Sequence, residues 1–100
     1  IRISETSSDL ALLASVISSF RNWALPHDLV IFGEVGLSGE IRPVPNGQER
    51  IKEASKHGFK IAVIPYGNRP SKSIDKSIKT IAVKDLAEVI SHLENLSSPN

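Results

Sequence analysis

Residues 33–59, GEVGLSGEIRPVPNGQERIKEASKHGF, decide how this 100-residue chain folds. The apolar run that leads into them, residues 29–35, reads as a strand apolar on both faces, as in a sheet covered on both sides. GLSG then turns the chain, with Gly36 and Gly39 supplying backbone angles that other residues avoid, and residues 40–44 return as the second strand of a hairpin. Pro45-Asn46-Gly47 is a breaker. Beyond it, Asn46 is placed to N-cap a helix over residues 48–56 with Ile51 and Ala54 inward. Gly58 stands where a left-handed C-terminal cap is wanted, with Phe59 tucked behind it.

Upstream, residues 1–4 (IRIS) read as the end of a strand. Ser7 or Ser8 can cap a helix that runs to about Asn22, with Asp9 in its first turn suiting the positive end of the helix dipole. The apolar positions Leu10, Leu12, Leu13, Val16, Ile17 and Phe20 take up most of that helix's circumference. It is therefore expected to be largely buried, inside the fold or against another subunit. Residues 23–27 form a connection containing Pro26. Downstream, residues 60–65 are a short buried strand, 66–75 a polar loop, 77–83 another strand and 84–93 an amphipathic helix. Residues 95–100 read as a frayed tail. The fold class is α/β (α+β), a mixed sheet covered by helices.

One hundred residues allow one domain. The apolar fraction of 40% and the charged fraction of 23% are those of an ordinary globular protein, and no apolar run reaches the roughly 18 residues of a membrane span. The absence of cysteine excludes a disulfide framework and a thiolate zinc site within the chain. With no methionine and no leader, the chain is read as a piece of something longer. The net charge of +1 hides a segregation: residues 1–41 balance to −3, residues 42–84 to +7 and residues 85–100 to −3. A basic middle third suits a polyanion.

Other chemistry finds less support. His27, His57 and His92 are scattered without ligand spacing, so no metal site is expected. The GEVGLSG run has the wrong spacing for a phosphate-binding loop and turns between strands rather than opening a helix. Asn46-Gly47 opens a helix and could offer free amides to an anion, a weak signal. The basic side chains Arg42, Arg50, Lys52, Lys56, Arg69, Lys72 and Lys76 are the candidate nucleic-acid contacts. Point charges of this kind neutralise phosphates without reading sequence. Aromatic support is thin, with Tyr66 at the loop start and Trp23 remote, which argues against a base-stacking platform.

The segments ETSSDLALLASVISSFR, DLVIFGEVGLSGEIRPVPNGQERIKEASKHGF and KTIAVKDLAEVI resemble the bacterial RadA (Sms) family of DNA-repair ATPases. They match the C-terminal domain that those proteins share with the Lon protease. The resemblance implies a Lon proteolytic-domain-like fold, of the ribosomal-protein-S5-domain-2-like type, with residues 1–100 as its C-terminal half. It implies a parent with a zinc finger and a RecA-like ATPase core, needing zinc, ATP and magnesium in its other domains. It also implies a cytoplasmic hexameric ring that acts on single-stranded or branched DNA with the RecA recombinase. A Lon-type peptidase uses a Ser–Lys dyad in which a desolvated lysine takes the serine proton. Against that pattern Ser8 falls at the serine and Gln48 at the lysine, so no catalytic residue is expected. Asp9 beside Ser8 would disfavour a developing oxyanion. Lys52, one turn on from Gln48, is the residue that would have to substitute. The reading is thus a non-catalytic scaffold that contacts DNA; the alternatives are a Ser–Lys peptidase and a pure oligomerisation module.

Overall fold

The middle strand of the sheet sets the architecture. In the computed structural model, which describes residues 8–70 and 77–99, β5 (Ile61–Pro65) lies between β2 (Leu29–Ile31) and β6 (Lys79–Val83), and both neighbours run parallel to it. Parallel strands need covering on both faces, and β5 alternates accordingly. Val63 points into a cluster with Leu10, Ala14, Ile41, Val83, Val89 and Leu93. Ala62 and Ile64 point into a second cluster with Phe32, Val44, Ile51, Ala54 and Ile78. The first cluster is closed by α1 (Asp9–Arg21) and α3 (Leu86–Leu96), the second by α2 (Gly47–Lys56). The chain is an α/β protein with a three-stranded parallel sheet between helices.

The single strand expected over residues 29–35 is two. β2 stops at Ile31, and β3 (Glu34–Val35) pairs antiparallel with β4 (Ile41–Arg42) as the hairpin. Gly33 makes the break, at φ +150. A side chain there would meet Leu10, Pro65 and Ile41, with the nearest atoms 3.1–3.3 Å from an added Cβ. Its carbonyl accepts the Leu10 N–H at 3.0 Å. A helix start normally leaves such a donor without a partner. That bond corrects the expected cap: Ser8 holds the N-cap position with helical backbone, but its side chain caps nothing.

The turn is tied by Gly36 N–H to the Glu40 carbonyl at 2.8 Å and Gly39 N–H to the Gly36 carbonyl at 3.0 Å. Gly39 takes the expected positive φ, +85, but Gly36 does not. Gly36 is small for another reason, since an added Cβ would fall 2.2 Å from the Glu40 carboxyl carbon. Asn46 is likewise not a side-chain cap. It sits at φ +59 and turns the chain by its backbone. The other end of α2 follows expectation. Gly58 at φ +88 lets its N–H reach Ser55 and the Phe59 N–H reach Ala54, both at 3.1 Å, and Phe59 packs on the second cluster.

α1 buries only Leu10, Ala14 and Ser18, the small-residue strip. Leu12, Val16 and Phe20 are 41%, 56% and 87% exposed, so the near-complete burial expected of this helix is not supplied by the described residues. At the far end, β7 (Ser98–Pro99) pairs antiparallel with β1 (Trp23–Ala24), where the sequence suggests a connection and a frayed tail. Residues 1–4, read as a strand end, lie outside the described residues.

Candidate nucleic-acid interface

In open parallel sheets ligands gather beyond the carboxyl ends of the strands. Pro65 and Val83 are register partners at those ends of β5 and β6, so the next residues, Tyr66 and Lys84, emerge side by side. A 3-10 turn over Tyr66–Asn68 follows β5. Its position is fixed by Asn68, whose amide makes both backbone hydrogen bonds to one residue of the hairpin's return. The Val44 N–H donates to Asn68 Oδ1 at 2.9 Å, and Asn68 Nδ2 donates to the Val44 carbonyl at 3.0 Å. Only a glycine at 47 allows this approach, because an added Cβ would lie 2.3 Å from Asn68 Nδ2. Gly67 packs on Pro43, where an added Cβ would lie 3.1 Å from the proline ring.

The anchored turn presents charge. The Arg69 guanidinium lies over the Tyr66 ring, 3.3 Å from its centroid, and the Lys84 ammonium lies 4.5 Å from the same centroid. The sequence reading named Arg69 as a candidate contact, noted Tyr66 only as thin aromatic support, left Lys84 among the charges of the basic third and passed over Asn68. The available signal was positional, in that Tyr66 and Lys84 are the first residues after two strands of one parallel pair.

The other candidates that the structure describes have surroundings of their own. Arg42 is committed to the hairpin, with Nη2 2.8 Å from Glu40 Oε2 and Nη1 3.9 Å from Glu34 Oε1. The Arg42 hydrogen bond, with backbone N–H bonds from Glu40 itself and from Ser38, holds the Glu40 carboxyl below the usual carboxylate range. The same pair raises the Arg42 guanidinium. The contribution of a depressed carboxyl is present above its unfolded pKa and is lost as pH falls through the folded one. We therefore expect Glu40 to titrate below the usual carboxylate range in a carboxyl NMR titration, and to move up in Arg42→Gln.

Arg50 Nε donates to the Pro45 carbonyl at 3.3 Å. Lys52 and Lys56 are exposed on the outer side of α2, where Glu53 approaches His57 Nε2 at 3.4 Å. Lys72 and Lys76 lie outside the described residues.

Gln48 is exposed at the start of α2, and Ser8 is half-buried at the start of α1. The two helices pack on opposite faces of the sheet, and no hydrogen bond joins Ser8 to Gln48. Lys52 shares the exposed side of α2. Among the described residues no three His, Asp or Glu side chains group as a metal site, and no helix is long and apolar enough to cross a membrane.

A parallel α/β sheet with a basic, aromatic-backed corner at its carboxyl end defines the class. The chain belongs to the family described as "Subunit ChlI of Mg-chelatase", whose model matches residues 1–68. Along nearly its whole length it is similar to proteins named DNA repair protein RadA. It is 59% identical over 96 residues to that of Haemophilus influenzae, covering 96% of the chain and 21% of the relative. It is 58% identical over 93 residues to that of Pseudomonas aeruginosa, covering 93% and 20%. The figures for the Escherichia coli protein are 52% over 96 residues, 96% and 21%. The resemblance to the RadA family read from the sequence therefore stands, and the chain spans about a fifth of the length of these relatives.

Proposed function

We propose that this chain is a non-catalytic, Lon-like scaffold that offers a DNA-contacting surface within a RadA-type DNA-repair ATPase. The observation that carries the reading is the pairing of an exposed Gln48 with exposed basic side chains on α2 and at the strand ends. A Ser–Lys dyad needs its lysine desolvated so that it can accept a proton, and the dyad position here carries a neutral amide on an exposed side. Lys52 and Lys56 stand one helical turn apart on the outside of α2, a spacing at which both can meet one phosphate backbone.

In this reading residues 1–100 are the C-terminal half of a Lon-like domain, and the parent carries a zinc finger and a RecA-like core that uses ATP and magnesium. The parent works in the cytoplasm as a hexameric ring, driving branch migration in homologous recombination alongside the RecA recombinase. Similarity to proteins named for DNA repair supports the process, and the exposed apolar strip of α1 is compatible with burial in a larger assembly. The test is a double charge reversal, Lys52→Glu with Lys56→Glu, in the full-length protein. Affinity for a single-stranded oligonucleotide should fall about ten-fold or more, and the slope of log K against log salt should flatten by about 1.4, or 0.7 per phosphate contact. Wild-type affinity and slope would remove the DNA surface on α2 and leave an assembly module.

A further inference from the structure

The geometry points to a phosphate clamp at the carboxyl end of the sheet, in which Arg69 and Lys84, both carried on the Tyr66 ring, grip one phosphodiester of a DNA backbone. This inference rests on the DNA-contact reading above and assigns it a place that the basic helix does not include. Three observations converge on it.

First, both cations are exposed. Among the described residues neither Arg69 nor Lys84 makes an ion pair, although carboxylates are close in sequence. Those carboxylates accept backbone N–H bonds or pair with Arg42 rather than with the two side-chain cations. Asp85 Oδ1 accepts the Glu88 N–H at 2.9 Å as the cap of α3, and Glu88 Oε1 accepts the backbone N–H of Lys84. Glu34 and Glu40 hold Arg42. Two like charges beside one ring repel each other, and an anion close to both reduces that repulsion.

Second, the corner is preorganised. Tyr66 begins a turn pinned at Asn68 by two hydrogen bonds to Val44, and Lys84 leaves a strand whose register with β5 is set by five residue pairs. The Lys84 carbonyl is itself bonded by the Ile41 N–H at 2.8 Å. Ordering costs that a flexible basic loop would meet on binding are already met in folding.

Third, the chemistry fits a phosphodiester. A guanidinium lying flat on a ring has its faces partly covered and its N–H edge directed outward, the edge that forms paired hydrogen bonds to phosphate oxygens. Lys84 adds a compact second charge. Tyr66 is 40% exposed, and with Arg69 stacked on it the ring works as a template for the cation rather than as a bare platform for a base.

The experiment compares variants of the full-length protein for binding to oligothymidine by fluorescence anisotropy across a salt series, with a thermal melt of each to confirm folding. Arg69→Ala and Lys84→Ala should each weaken binding about ten-fold, each lowering the salt slope by about 0.7. Tyr66→Phe, which keeps the ring, should bind more tightly than Tyr66→Leu. Tyr66→Leu should lose several-fold in affinity while keeping most of its salt slope, because it releases the cations without removing them. Wild-type binding by Arg69→Ala and Lys84→Ala, with loss in the Lys52→Glu/Lys56→Glu protein, would overturn the clamp and leave the DNA surface standing. Wild-type binding by all of them would overturn both. Equal affinities for Tyr66→Leu and Tyr66→Phe would overturn the templating role of the ring.

Discussion

Asn68→Ala is expected to destabilise the chain by about 2–4 kcal/mol, because it strands two buried backbone groups at once. Val44 is 6% exposed, and its N–H and carbonyl both pair with the Asn68 amide. With Val44 largely shielded from solvent, each group bears much of its desolvation cost once the amide is gone. Urea unfolding at neutral pH measures the loss. Gly47→Ala approaches the same contact from the other side, since its methyl would displace the Asn68 amide. The two changes should therefore be strongly non-additive, the alanine at 47 costing far less once the amide is absent. Additive free energies would show that Gly47 is required for a reason unrelated to Asn68. In either variant the turn that carries Tyr66 and Arg69 loses its anchor, so DNA affinity should fall with stability.

Leu10→Ala should cost about 3–5 kcal/mol. Leu10 is fully buried, joins α1 to the cluster built on Val63, Val83 and Leu93, and donates its N–H to Gly33. The methyl groups lost leave a gap between a helix, the start of the hairpin and the strand end at Pro65, three elements that cannot all move inward together. For a domain of this size that corresponds to a fall in melting temperature of about 12–40 °C. A change below about 1 kcal/mol would mean that α1 is held mainly by contacts other than this one.

The fold was legible where one residue type has one use. Gly58 with Phe59 behind it marked the end of α2, Ile51 and Ala54 marked its inner side, and the Ile61–Pro65 run marked a strand covered on both faces. It was not legible where a side chain could act locally but does not. Ser8 and Asn46 are good caps by type, yet the Gly33 carbonyl reaches the start of α1 and the backbone of Asn46 makes the turn. The candidate site was half legible. Its charges could be counted along the chain, but the partners that separate Arg42, committed to Glu40, from Arg69, stacked on Tyr66, come from different elements.

By itself, the sequence determined the α/β class, the order of most elements and the basic middle third. These follow from hydrophobic period, turn chemistry and residue identity, which are local properties. Only the tertiary structure decided that the run through Gly33 is two strands, that Asn68 rather than Asn46 secures the Pro-Asn-Gly corner, and that Tyr66, Arg69 and Lys84 share one place. The reason is the parallel sheet. It aligns Pro65 with Val83, eighteen positions apart in the chain, and so brings together charges that no local spacing could relate.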